Sequence, residues 1–113
     1  MTKQDIIEYC SSLHDAYEDY PFDDFDDSQK WTVMRHKLNK KSFAIIYERD
    51  DKICVNVKCD PIEADFLRQI FADVIPAYHM NKTHWNTIFL NGDVPEKEVK
   101  LMITKSFDLT KPK

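Results

Sequence analysis

Glycine is nearly missing from this 113-residue chain, with Gly92 its sole example. Phosphate-cradling loops of the G-x-G-x-x-G or G-x-x-x-x-G-K-[ST] kind need several positions free of a Cβ, so nucleotide binding of those two types is excluded. The cysteines, Cys10, Cys54 and Cys59, are odd in number and lack C-x-x-C spacing. That pattern argues against a disulfide framework or a structural zinc site and predicts free, mostly buried thiols in a reducing cytoplasm. No apolar run approaches the twenty or so residues that span a bilayer. The start, Met1-Thr-Lys-Gln-Asp-Ile-Ile7, has no apolar stretch followed by a small-residue cleavage site, so neither membrane insertion nor secretion is expected.

What is present suits one globular domain spanning residues 1–113. Apolar residues make up 42% and aromatics 12% of the chain, enough for a core without staples. The net charge of −4 hides a strong polarity. Met1 to Gln29 holds nine acids against one base, whereas Arg35 to Lys58 holds seven bases against three acids. An acidic start and a basic middle are implied.

Thr2 with Asp5 three residues on resembles a capping box, and Ile6, Ile7, Cys10, Leu13 and Tyr17 recur at helical spacing. A helix from about Lys3 to Ala16 is predicted, ending near Tyr20-Pro21, followed by a solvated acidic loop at Asp23-Asp-Phe-Asp-Asp27. Trp31 to Arg35, Phe43 to Tyr47 and Ile53 to Cys59 are rich in β-branched and aromatic residues and are separated by short polar turns. Connections that short join antiparallel neighbours, which gives a three-stranded meander. Along its last strand, Ile53, Val55, Val57 and Cys59 alternate with Cys54, Asn56 and Lys58, so one face is core and the other partly polar.

Asp60-Pro-Ile-Glu63 is the clearest helix start: Asp60 caps, Pro61 fits the first turn, and Glu63 reaches back to the cap. This helix is expected to turn Ile62, Phe66, Leu67, Ile70 and Phe71 inward and to stop before Pro76. Two more extended segments, Tyr78 to Met80 and Trp85 to Leu90, follow, and Gly92 is expected to supply positive φ in the next turn. Asp93-Val-Pro-Glu96 repeats the capping pattern and opens a last helix burying Val99, Met102 and Ile103. The sum is an α+β domain, an antiparallel sheet (a three-stranded meander plus two further strands) covered by three helices.

The segment Tyr78-His-Met-Asn-Lys-Thr-His-Trp-Asn-Thr87 carries the most chemistry. Lys82 and His84 are candidates to meet phosphate, Asn81 and Asn86 to hydrogen-bond a base or sugar, and Trp85 to stack. The competing reading makes Trp85 a core anchor and has Asn81 and Asn86 satisfy turn backbone. Arg35, Lys37, Lys40, Lys41 and Lys58 extend the candidate nucleic-acid set along the meander, against the alternative that lysines guard exposed sheet edges. No nucleophile, base and oxyanion donor can be read together, His79 and His84 lack a third metal ligand at short spacing, and Cys54 and Cys59 fall on opposite strand faces. Neither enzymatic activity, a cofactor nor a metal is therefore expected. A small aromatic ligand would instead need Trp31, Tyr78, Trp85 and Phe89 around a cleft.

With Tyr17-Glu-Asp-Tyr-Pro-Phe22, Phe43-Ala-Ile-Ile-Tyr-Glu48, Cys54-Val-Asn-Val-Lys-Cys-Asp-Pro61, Val94-Pro95 and Ser106-Phe-Asp-Leu109, the Tyr78–Thr87 run resembles the MmcQ/YjbR family over nearly the whole chain. The resemblance implies a sheet-and-helix "double wing" fold proposed to bind DNA. One namesake's link to resistance against a DNA-alkylating antibiotic implies drug binding as a second role. The acidic N-terminal third weighs against strong duplex binding, so any DNA contact is expected to be weak and salt-sensitive.

Overall fold

The computed structural model describes residues 1–21, 31–77 and 80–113. Among them run α1 (Lys3–Ser11), β1 (Ala16–Asp19), β2 (Thr32–His36), β3 (Ser42–Arg49), β4 (Lys52–Lys58), α2 (Pro61–Ile70), β5 (Val74–Pro76), β6 (Trp85–Phe89) and α3 (Glu96–Thr110). The strands form one antiparallel sheet in the order β1-β2-β3-β4-β6-β5. The meander β2-β3-β4 is its interior, while β1 and β5 are its edges. The α+β class holds, with six strands where five were expected.

The added strand comes from the segment read as the end of the first helix. The capping box is formed: Asp5 N–H donates to Thr2 Oγ1 at 3.1 Å and Thr2 N–H to Asp5 Oδ2 at 2.8 Å. Yet α1 stops at Ser11, and Asp15 takes φ 55° and reverses the chain. Ala16–Asp19 then pairs with β2, Ala16 opposite His36 and Asp19 opposite Val33. An available strand edge outweighs local helical spacing here, as tertiary context commonly does for short segments. The acidic loop Asp23–Asp27 lies outside the described residues, as do Tyr78 and His79. The strand beside β6 is Val74–Pro76, upstream of the extended segment expected at Tyr78–Met80.

All three helices cover one face of the sheet. Ile6, Ile7 and Cys10 of α1 and Val99, Met102 and Ile103 of α3 pack on Met34, Ala44, Ile46, Val55, Val57 and Ile88. Alternation sends Val33, Ile45, Tyr47, Asn56, Lys58, Trp85 and Thr87 to the other face. There Tyr47 Oη and Thr87 Oγ1 both donate to Asn56 Oδ1, at 3.1 and 2.6 Å, so the buried amide is held by its neighbours. Trp31 stacks on Tyr47 with ring centroids 4.2 Å apart.

Four local expectations are corrected. Gly92 has no positive φ; Asn91 takes it, at 62°. Gly92 is needed because a Cβ there would stand 1.8 Å from Asp73 Oδ2, which accepts from Asp93 N–H at 2.8 Å. Asp93 does not cap α3: its carboxylate accepts from the amides of Ala72 and Asp73, at 2.7 and 3.0 Å, and Pro95 occupies the cap. Asp60 does cap α2, accepting from the Ile62 and Glu63 amides. The Glu63 carboxylate, expected to reach back to the cap, instead holds Lys105 Nζ at 2.5 Å. Finally, α2 buries only Ala64 fully; Leu67 and Phe71 touch the core, while Ile62, Phe66 and Ile70 stand exposed.

Candidate nucleic-acid interface

Strand direction decides which basic residues meet. β2 ends, β3 begins, β4 ends and β6 begins at one end of the sheet, since His36 bonds Lys41, Val57 pairs with both Ala44 and Asn86, and Lys58 with Trp85. The β2–β3 turn therefore presents Lys37, Lys40 and Lys41 at the same end as Lys58 and the turn 81–84. Two to three strand spacings, roughly 10–15 Å, separate the two turns. Arg49 and Lys52, in the β3–β4 turn, lie at the opposite end. That turn has Asp50 and Asp51 at φ 53° and 63°, as a two-residue hairpin of the primed type requires.

The eight candidates do not stand equally free. Lys37, Lys40, Lys41 and Lys82 are exposed, and Lys58 and His84 are half-buried. Lys40 sits at φ 61°, and its carbonyl accepts from Arg35 Nη1 at 3.0 Å. Arg35 also donates through Nε to Asp19 Oδ2 at 2.7 Å, so its fork is occupied within the fold. Asn81 Oδ1 accepts from Thr83 N–H at 3.0 Å and its carbonyl from the amides of His84 and Trp85. This is the turn-forming role weighed against base recognition. Asn86 is likewise structural: buried, it donates to the Ala64 carbonyl at 3.2 Å and accepts from Arg68 Nε at 2.5 Å.

Arg68, which sequence reasoning passed over, shapes the turn. Its Nη2 donates to the carbonyls of Lys82 and Trp85, clamping the peptide on either side of His84 to α2. An arginine in the last turn of an amphipathic helix was the available signal, but it reads as a solvated charge until the fold places the turn beside it. Trp85 is half-buried and shares with Lys58 the face that the helices leave, so an aromatic surface borders that lysine. Nor are the meander lysines edge guards, because β2, β3 and β4 are all interior strands.

Other chemistry is muted. Burial pushes the Cys10 thiol up to about 12 and the Cys59 thiol up to about 11, and raises Cys54, so all three are protonated at neutral pH. Of the rings named for a ligand cleft, Tyr78 lies outside the described residues; Trp31 lies on Tyr47, Phe89 has Lys52 Nζ 5.1 Å above it, and Trp85 sits four residues along β6 from Phe89. Among the described residues, no helix is long and apolar enough to cross a membrane.

Comparison with known proteins supplies kinship. The YjbR family model matches residues 11–109. "Uncharacterized protein YyaQ" of Bacillus subtilis is 31% identical over 98% of this chain and 99% of its own length. "Uncharacterized protein YjbR" of Escherichia coli K12 is 29% identical over 95% and 85%. A crystal structure of a Pseudomonas syringae protein superposes with a TM-score of 0.84 at 33% identity, covering 98% of this chain and all of the other. One from Deinococcus radiodurans does so at 0.80 and 28%, covering 96% and 77%.

Proposed function

The chain belongs to the YjbR family, and from that premise we propose that it is a non-enzymatic module that binds DNA weakly through the basic end of its sheet. One observation carries the reading: Lys37, Lys40, Lys41, Lys58, Lys82 and His84 line up along a single end of interior strands. Their span of roughly 10–15 Å is comparable with the width of the duplex major groove, about 12 Å. The mobile ammonium groups suit phosphate, which accepts contacts without demanding sequence. Trp85, beside Lys58, offers a ring edge to a neighbouring base or sugar. Arg35 and Asn81 act one step back, holding the two turns in shape. The net charge of −4 limits affinity, because the acidic part of the molecule repels the phosphate backbone.

If Lys40, Lys41 and Lys82 each neutralise one phosphate, log K against log salt has a slope near −2.7, at about 0.9 per contact. Fluorescence anisotropy with a labelled duplex across a salt series measures it, and Lys40→Glu/Lys41→Glu/Lys82→Glu should abolish binding. Silence at low salt, or binding indifferent to the triple change, sinks the proposal.

A further inference from the structure

Each of the two basic turns is held by an arginine whose guanidinium is engaged within the fold. Arg35 donates through Nε to Asp19 Oδ2 at 2.7 Å and through Nη1 to the Lys40 carbonyl at 3.0 Å. Arg68 repeats the arrangement on the other turn. Its Nε donates to Asn86 Oδ1 at 2.5 Å, and its Nη2 to the carbonyls of Lys82 and, at 3.3 Å, Trp85. In both places a side-chain oxygen seats the guanidinium and a terminal nitrogen seats the peptide of a lysine. Both arginines are half-buried, whereas Lys40 and Lys82 are exposed. No ion pair of Lys40 or Lys82 occurs among the described residues. Lys40 also stands at φ 61°, a left-handed conformation uncommon outside glycine. A planar guanidinium fork can bond a side-chain oxygen and a carbonyl together at fixed angles, whereas an ammonium is a mobile point charge.

We propose that Arg35 and Arg68 are a matched pair of positioning residues, each setting for phosphate the one lysine whose carbonyl it holds, Lys40 and Lys82 respectively. Their role rests on this end of the sheet being a DNA interface, and neither guanidinium touches phosphate itself. Seating the two peptides fixes the spacing of the two lysine stems before DNA arrives. Less order then has to be imposed on binding, which is the advantage of preorganisation. The action of each arginine is local. Arg68 works through Lys82 and not through Lys40, and Arg35 works through Lys40 and not through Lys82.

Double-mutant cycles on the full chain, read by fluorescence anisotropy with a labelled duplex at low salt, test this. Arg68→Lys keeps the charge and loses the fork, and should weaken binding about three- to tenfold, the size of ordering one side chain. Combined with Lys82→Ala, the same change should cost nothing further. Combined with Lys40→Ala, it should cost its full factor. Arg35→Lys should give the mirror image, silent with Lys40→Ala and undiminished with Lys82→Ala. A merely structural arginine would lower affinity alike in both backgrounds, and one that itself meets phosphate would tolerate lysine with little loss. Arginine-to-lysine variants that bind as wild type, or losses that multiply equally in both backgrounds, overturn the positioning role and leave the DNA reading standing. A wild-type protein that binds no duplex brings down both.

Discussion

Two helices of this molecule start with equally good caps and end with opposite fates. In α1 the apolar residues Ile6, Ile7 and Cys10 are 0%, 7% and 0% exposed, seated on the sheet centre beside α3. In α2 the apolar residues are more numerous, yet Ile62, Phe66 and Ile70 face outward. α2 is moored largely by polar contacts: Arg68 to Asn86 and to the carbonyls of Lys82 and Trp85, and Glu63 to Lys105. Just beyond it, Asp73 and Asp93 each donate a backbone N–H to the other's carboxylate, and Ala72 N–H donates to Asp93 as well. Apolar periodicity therefore measures how much a helix offers for burial. The sheet area beneath it decides how much is taken, and the short β5–β6 flank has little to give α2.

The largest effect should separate the two helices directly. Ile6→Ala should cost about 2–5 kcal/mol in urea unfolding, as for buried aliphatic truncations. Ile62→Ala at low protein concentration should change stability by no more than about 0.5 kcal/mol, as for exposed positions. Comparable losses at both sites would erase the contrast.

Next in size is the polar mooring. Arg68→Ala leaves Asn86 and two carbonyls without their donor and should cost about 1–3 kcal/mol. Hydrogen exchange should then quicken at the amides of His84 and Trp85 more than in α1. Uniform acceleration across the chain would show that α2 and α1 open together and that the mooring is not local.

The smallest effect belongs to His36, at the α3 end of the packed region. Its ring is 2% exposed, contacts Phe43 and Phe107, and has Nε2 2.8 Å from Thr110 Oγ1. Burial lowers its pKa from the ordinary 6.5, outweighing the opposing hydrogen bond to the Phe107 carbonyl. The unfolded chain thus takes up the proton first as pH falls. The contribution of His36 to stability is full above about 6.5, erodes below it and levels off once the folded ring also protonates. Urea midpoints at pH 7.5 and pH 5.5 in wild type and His36→Gln should show a drop that the variant lacks. An equal drop in both would remove His36 as the source.

The sequence told most where local chemistry and tertiary structure agree. The Thr2 box, the Asp60-Pro61 start, the meander turns and the inward set of α3 follow from side-chain reach and spacing, and all four appear in the structure. Legibility failed where long-range contacts decide. Ala16–Asp19 is a strand because β2 offers an edge, and Asp93 bonds to residues twenty positions back instead of to α3. Gly92 is needed for lack of room beside Asp73 and not for an unusual φ. In the basic interface, residue types marked Lys37, Lys40, Lys41, Lys58, Lys82 and His84. Only strand order brings the two turns to one end, and only the hydrogen bonds show that Arg35, Asn81 and Arg68 are engaged within the fold.

The two outer strands have a consequence for life in a crowded solution. β5 is three residues long and ends in Pro76, which has no amide proton to give, and β1 is four residues long with Glu18 and Asp19. Short, charged or proline-bearing borders make poor templates for an incoming chain. A sheet whose helix-covered face is largely apolar is thereby kept from polymerising edge to edge, so runaway fibre growth is closed off at both margins.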